Sequence, residues 1–289
     1  MDVPLISVVI PAYNRKSTIK RSILSVLAQS VDNLEVVVVD DGSNDNMSQT
    51  VEEITQADKR VRLLVHKANR GAQAARNTGI RAAVGAWIAF LDSDDTWVSN
   101  SLEMRIAVAQ SQNVQVVHSR GFVLRFGGGE RETFEVPALS GNVYRELLRA
   151  PGPLFPALLV STNAFQAIGG LDEAIVAYQE WDTALRLAKR FEFGFVPEPT
   201  FVYDCRGSDT ISKNLLRGAR GYEQILRKHL REIALKAGPR AIAEHYAQLS
   251  SDYRIAGDER AFRRCKRISY LWWPNPRVPL RKLKAVMTG

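Results

Sequence analysis

The stretch LEVVVVDD, residues 34–41, constrains the fold more than any other part of the chain. A strand with one face in water alternates apolar and polar residues. Four consecutive valines do not, and they match a parallel strand covered on both faces. Parallel neighbours need crossover connections, so helices must alternate with strands. The flanking sequence does this. SVVI (Ser7–Ile10) is a short β-branched run that Pro11 is expected to stop. Ile19, Ile23, Val26 and Leu27 recur at helical spacing. After the valines, DGSND breaks the strand, and Val51 and Ile54 mark a short helix. VRLLV is a third strand, GAQAARNTGIRAAVG an Ala-rich helix ending near Gly85, and AWIAFL a fourth strand. Leu102, Ile106 and Ala109 mark another helix, and VQVV another strand. The order predicts βαβ units in a doubly wound sheet.

Ligands of such sheets bind outside the carboxyl ends of the strands. Three polar clusters fall there: Tyr13-Asn14, Asp40-Asp41, and Asp92-Ser93-Asp94-Asp95. They are expected to converge on one cleft. No G-x-G-x-x-G follows the first strand, and no P-loop lysine, which excludes a classical dinucleotide site and a P-loop NTPase. Asp92, Asp94 and Asp95 offer only hard oxygen ligands, suited to Mg²⁺ or Mn²⁺ with phosphate, or they form an acidic turn capping a helix that begins near Asn100. Asp40-Asp41-Gly42-Ser43 is either a strand-ending turn with Asx chemistry or an acceptor for a base N–H or ribose hydroxyl. In YQEWDTALRLAKR, Trp181, Leu185 and Ala188 mark a helix with Glu180 in its first turn and Asp182 two residues on. Acids there complement the helix dipole, or one of them is a general base. Gly169-Gly170 upstream permits a tight turn that aims this segment.

With 289 residues the chain suits one large domain, or one domain and an appendage. Two cysteines, Cys205 and Cys265, exclude a disulfide framework and a Cys-rich zinc site. No segment reads as transmembrane or as a signal peptide, so a cytoplasmic protein is expected. Charge is uneven. Residues 1–215 carry 22 basic and 25 acidic side chains, whereas 216–289 carry 17 basic and 6 acidic, a net of +11.

Four segments together resemble the family 2 glycosyltransferases: SVVIPAYNR, VVVVDDGSNDN, NRGAQAARNTGIRAAVGAWIAFLDSDD and GGLDEAIVAYQEWDTALRLAK, in family order over about residues 4–212. The resemblance implies a GT-A-type fold: α/β, with a doubly wound, mixed, mostly parallel sheet flanked by helices. Residues 1–215 would be the catalytic domain, its nucleotide-binding half about 1–112 and its acceptor half about 113–215, with 216–289 a basic helical extension. It implies that Pro11, Tyr13 and Asn14 line the nucleotide pocket, that Asp41 meets the base with Asp40 beside it, and that Arg70 and Arg76 lie near the nucleotide. Asp92-Ser93-Asp94 would be the DxD signature, and Asp94 with Asp95 would hold Mn²⁺ or Mg²⁺. Glu180 takes the position of the catalytic base, and Asp182 the acidic position after it. Arg206 stands about where many relatives carry a His.

The implied activity is inverting transfer of a sugar from a nucleoside-diphosphate sugar, a UDP-sugar first among candidates, to an acceptor hydroxyl in polysaccharide, lipopolysaccharide or other glycoconjugate biosynthesis. The acceptor would be a saccharide or a lipid-linked sugar. A nucleotidyltransferase acting on a sugar phosphate is the alternative, although PAYNRKST is not the Gly-rich basic loop it needs. SRGFVLRFGGGERETFEV reads as a hairpin turning at Gly127–Gly129, and APGPLFPALLVSTNAF as a loop entering a strand. Helical spacing resumes with Leu226, Leu230 and Ile233, then Ile242, Tyr246 and Leu249. Trp272 and Trp273 amid Arg and Lys form either a peripheral membrane contact, at the inner face of the membrane, or a packed face on the catalytic domain. No nucleic-acid partner is expected, because the N-terminal part is acidic and basic–aromatic repeats are absent.

Overall fold

The computed structural model describes residues 6–124, 131–134, 136–205 and 214–273. Two compact units emerge. One holds the described residues within Met1–Val143, Pro153–Glu173 and Arg186–Ser208; the other holds those within Tyr144–Gly152, Ala174–Leu185 and Asp209–Gly289. The sequence expectation was a break near 215. Instead, two short internal segments group with the C-terminal helices.

The first unit is built on one sheet. Its strands are β1 (Ile6–Ala12), β2 (Leu34–Asp40), β3 (Val61–Val65), β4 (Trp87–Phe90), β5 (Thr96–Trp97), β6 (Val116–Leu124), β7 (Glu132–Phe134), β8 (Leu159–Ser161) and β9 (Phe193–Asp204), in the order β3-β2-β1-β4-β8-β6-β9-β5, with β7 against β6. Strands β3, β2, β1 and β4 are parallel, and β8 joins antiparallel to β4 and β6. The helices between them are α1 (Ile19–Leu27), α2 (Met47–Ala57), α3 (Ala72–Ala82), α4 (Ser101–Ser111) and, after β8, α6 (Thr162–Ala167). The valine run explains itself. Val36 and Val38 join a core with Ile19, Ile23, Met47 and Val51, while Val37 and Val39 pack with Ala75 of α3 on the opposite face. Both faces are covered, as continuous apolarity requires.

Pro11 does not stop β1. The strand runs on to Ala12, with Pro11 opposite Val39. The Val9 carbonyl accepts from the Leu91 N–H, just past the last β1–β4 pair at Phe90, and the Ala12 carbonyl accepts from the Asp41 N–H. Odd residues therefore face β4, and Pro11 lies beyond the point where β4 needs a donor. The β6–β7 hairpin is present, but the Gly127–Gly129 turn lies outside the described residues, as does Arg206. Strand β9 was not legible, because Pro197 and Pro199 interrupt its period. Register shifts against β6 on either side of Arg120 absorb them.

The second unit contains α5 (Tyr144–Leu147), α8 (Leu215–Glu232), a π-helical turn Ile233–Ala237, α9 (Pro239–Ile255) and α10 (Glu259–Trp272). Helix α7 (Gln179–Ala188) begins in it. Trp181 is fully buried there, its indole N–H donating to the Leu147 carbonyl at 2.8 Å.

Candidate active site

The ends of β1, β2 and β3 are bound to one another by side chains. Asn14, in a left-handed conformation (φ 53°), accepts from the Asn44 N–H at 2.9 Å, and its own N–H donates to Ser43 Oγ at 2.8 Å. Asp40 accepts from the Ser43 N–H at 2.8 Å and from the Ser48 hydroxyl. Asp41 accepts from the N–H groups of Arg70 (2.9 Å) and Gly71 (2.7 Å), and His66 Nδ1 lies 2.7 Å from its Oδ1. Both aspartates are buried. In this geometry the oxygens of both side chains bond the loops that follow β2 and β3. Gly42 has φ +77°, and a Cβ there would lie 2.7 Å from the Ala68 carbonyl carbon, so the turn needs glycine. Tyr13 is exposed beside it, and Pro11 is buried in the strand. The Arg70 side chain is exposed, 3.9 Å from Glu173.

After β4 the carboxylates separate by environment. Asp92 Oδ1 accepts from Arg76 Nη2 at 2.6 Å. Arg76 is itself buried, held by Gln73 Oε1 at 2.9 Å, with its guanidinium 4.2 Å from the Phe155 ring centroid. Asp94 is partly exposed, with Arg15 Nε 3.6 Å away. Burial and then the Asp92 charge hold its carboxyl above the ordinary range, with Arg15 offsetting part. Asp95 is 0% exposed. Its Oδ1 accepts from the Asp204 N–H at 3.0 Å, and its Oδ2 has no hydrogen-bond partner. Burial, then Asp92 and Asp94, push this carboxyl well above the ordinary range. The resemblance implies that Asp94 and Asp95 together hold the cation; in the structure Asp95 is internal, whereas Asp92 and Asp94 are partly exposed.

Three neighbours went unread in the sequence: Arg15, Arg21 and Asp204. Arg21 Nη1 lies 2.9 Å from Asp204 Oδ2, and Arg21 Nη2 donates to the Asp94 carbonyl at 2.6 Å. The available signal was weak, an Asp at the end of the last strand and basic residues just after the first. The buried Asp95 Oδ2, which has no hydrogen-bond partner, and the raised carboxyls of Asp94 and Asp95 fit a cation. Among the described residues no three His, Cys, Asp or Glu side chains converge to cage a metal. Mg²⁺ and Mn²⁺ do not need such a cage, since they take one or two carboxylates and complete their shell with water and phosphate oxygens.

In the second unit, Glu180 is half-buried in the first turn of α7. Asp182 is 1% exposed and lies 2.8 Å from Lys228 Nζ and 2.9 Å from His229 Nε2. Burial pushes its carboxyl up, but the hydrogen bonds from His229 and Lys228 more than reverse this, leaving it below the ordinary range. Asp182 is therefore an internal anchor. Upstream, in the first unit, Gly169 and Gly170 adopt left-handed φ values of 70° and 76°, and Asn77 holds both the Leu171 N–H and carbonyl at 2.9 Å.

The sheet order and the polar strand ends define a GT-A-type α/β fold, shared with solved glycosyltransferase structures. Residues 1–349 of S. aureus TarS superpose with a TM-score of 0.62 at 16% identity, covering 94% of this chain and 93% of that one. The mannosyltransferase PcManGT from Pyrobaculum calidifontis, solved with GDP-Man and Mn²⁺, gives 0.67 at 18% identity, covering 98% and 79%. Residues 7–145 match the family described as Glycosyl transferase family 2. Among curated relatives, the Escherichia coli UDP-Glc:alpha-D-GlcNAc-diphosphoundecaprenol beta-1,3-glucosyltransferase WfgD is 39% identical over 141 residues, 46% of this chain and 55% of that protein. The succinoglycan biosynthesis protein ExoO of Rhizobium meliloti is 39% identical over 165 residues, 57% of this chain and 44% of that protein. The chain thus spans about half the length of these relatives.

Proposed function

We propose that this protein is an inverting, metal-dependent glycosyltransferase that moves a sugar from a nucleoside-diphosphate sugar to an acceptor hydroxyl. The observation that carries this reading is the cluster of Asp92, Asp94 and Asp95 just after the parallel strand β4, with a buried Asp95 oxygen that has no hydrogen-bond partner, in the segment that matches the family 2 model. Mn²⁺ or Mg²⁺ held on Asp94, with Asp92 beside it, would neutralise charge on a departing diphosphate. Arg15 adds fixed positive charge for the same oxygens. Tyr13 packs on the base, and Asp40 and Asp41 hold the loops that form its pocket. Glu180 takes the proton of the acceptor hydroxyl. The resulting oxygen nucleophile bonds to the anomeric carbon as the bond to the diphosphate breaks, and in-line displacement inverts that carbon. Asp182 holds the turn that carries Glu180.

The name of WfgD and the complex of TarS with UDP-GlcNAc support a UDP-sugar as donor. The WfgD name also supports a lipid-linked acceptor, and that of ExoO supports glycan synthesis. A lipid-linked acceptor requires peripheral contact with the cytoplasmic face of a membrane. Among the described residues no helix is long and apolar enough to cross one. Helix α10 ends in exposed Leu271 (78%), Trp272 and Trp273. The groove between α9 and α10, about 810 Å³, is lined by Arg240, Arg254, Lys266, Phe262, Tyr270 and Trp273. Aromatic side chains amid cations suit an anionic lipid surface.

Incubation with a panel of sugar nucleotides and Mn²⁺, following nucleoside diphosphate release, tests the reaction. Glu180→Gln is expected to abolish transfer while donor binding by calorimetry is kept; near-normal turnover in that variant would refute the base assignment. Sedimentation with phosphatidylglycerol vesicles, lost in Trp272→Ala/Trp273→Ala, tests the membrane contact. Retention on DNA with no binding to vesicles would reverse that reading.

A further inference from the structure

Residues 174–182, which carry Glu180, are gripped along one stripe of α8. The Val176 N–H donates to Gln224 Oε1 at 3.1 Å, and the Val176 carbonyl accepts from Arg217 Nε at 2.9 Å. Gly221 lies so close to Ala177 that a Cβ on it would meet the Ala177 carbonyl oxygen at 2.6 Å and its nitrogen at 2.7 Å. Tyr222 packs edge-on against Tyr178, ring centroids 5.3 Å apart, and against Trp181 at 4.9 Å. Its hydroxyl meets His245 Nδ1 at 2.8 Å, which supports the ring from behind. Lys228 and His229 hold Asp182. Positions 217, 221, 224 and 228 recur at i, i+4, i+7 and i+11, one face of a helix.

Tyr178 adds a second observation. Its φ is +57°, a left-handed conformation that a bulky aromatic residue adopts only when its surroundings impose it. Its carbonyl accepts from the Trp181 N–H at 3.0 Å, closing the first turn of α7. Glu180 lies between Tyr178 and Asp182, both pinned by α8.

We propose that α8 is the positioning element for Glu180, with Gly221 and Tyr222 setting the backbone and ring of Tyr178 and Lys228 and His229 fixing Asp182. This rests on Glu180 being the base. It assigns to the C-terminal helices, which lie beyond the family match at 7–145, a part in turnover distinct from donor binding.

Two glycines of α8 supply the test. Gly218 has nothing within 4 Å of an added Cβ, whereas Gly221 has Ala177 against it. Alanine favours helix equally at both. Gly221→Ala is expected to lower kcat at least tenfold with donor affinity unchanged, and Gly218→Ala to keep both. Tyr222→Phe, which retains the ring, is expected to keep most of kcat, and Tyr222→Ala to lose it. Amide hydrogen exchange over 176–182 reads the clamp without turnover; it is expected to quicken in Gly221→Ala and not in Gly218→Ala. Normal kcat or unchanged exchange in Gly221→Ala overturns the clamp, as does a parallel fall in donor affinity. Glu180→Gln run alongside separates the readings: turnover in that variant sinks the base assignment, whereas a dead Glu180→Gln beside a fully active Gly221→Ala sinks only the clamp.

Discussion

Asp95 and Asp182 are almost equally buried, yet their carboxyls are driven in opposite directions. Burial raises both. Asp182 meets Lys228 and His229 within 3 Å, and their hydrogen bonds outweigh the lost hydration. Asp95 meets a backbone N–H on one oxygen and the charges of Asp92 and Asp94 nearby. Asp182 is paired within the chain through its Oδ1. Asp95 lies among like charges that a bound cation would relieve. Sequence similarity treats both as conspicuous acids, but a buried acid paired by its own donors is a structural anchor, and a buried acid pressed by like charges is a candidate for a ligand.

The largest expected effect is at the paired carboxylate. Asp182→Asn strands Lys228 and His229 beside a neutral group, and breaking a buried pair costs about 3–5 kcal/mol. Thermal or urea unfolding should report a loss of that order; a loss below about 1 kcal/mol would mean the pair is solvated and the contrast with Asp95 false. Next in size, Asp95→Asn keeps an oxygen for the Asp204 N–H and removes a carboxyl whose ionisation burial and its acidic neighbours oppose. The metal-free protein should be more stable than the wild type, with a smaller gain in melting temperature on adding Mn²⁺ than the wild type shows. Destabilisation would place a compensating cation within the chain itself.

The smallest effect concerns pH. The folded pKa of Asp182 is depressed, so its contribution is fully present above the ordinary carboxylate range and is lost as pH falls through the folded value. The stability gap between wild type and Asp182→Asn should stay constant down to about pH 5 and begin to narrow below about pH 4. A gap that instead closes on going to alkaline pH would put the titration on a different group.

Much of the first unit was legible because its signals are local. Continuous valines specify a doubly covered strand, and helical spacing specifies what crosses over it. The strands that were missed are short, as in β5, or interrupted by proline, as in β9, and they depend on pairing with distant chain. Pro11 was misjudged for the same reason. Whether a strand tolerates proline depends on where its neighbour ends, which the local pattern does not carry.

The sequence by itself determined most of the order of strands and helices in the first unit, the polar residues at the strand ends, and the candidates Glu180, Asp92 and Asp94. Those follow from periodicity and residue chemistry within a few positions. Only the tertiary structure decided which carboxylates are presented and which are consumed. Asp95 is engaged by Asp204, 109 residues away, and Asp182 by His229, 47 residues away. The free energy of a buried charge is set by what surrounds it in space, and those neighbours come from chain that no local reading joins to it.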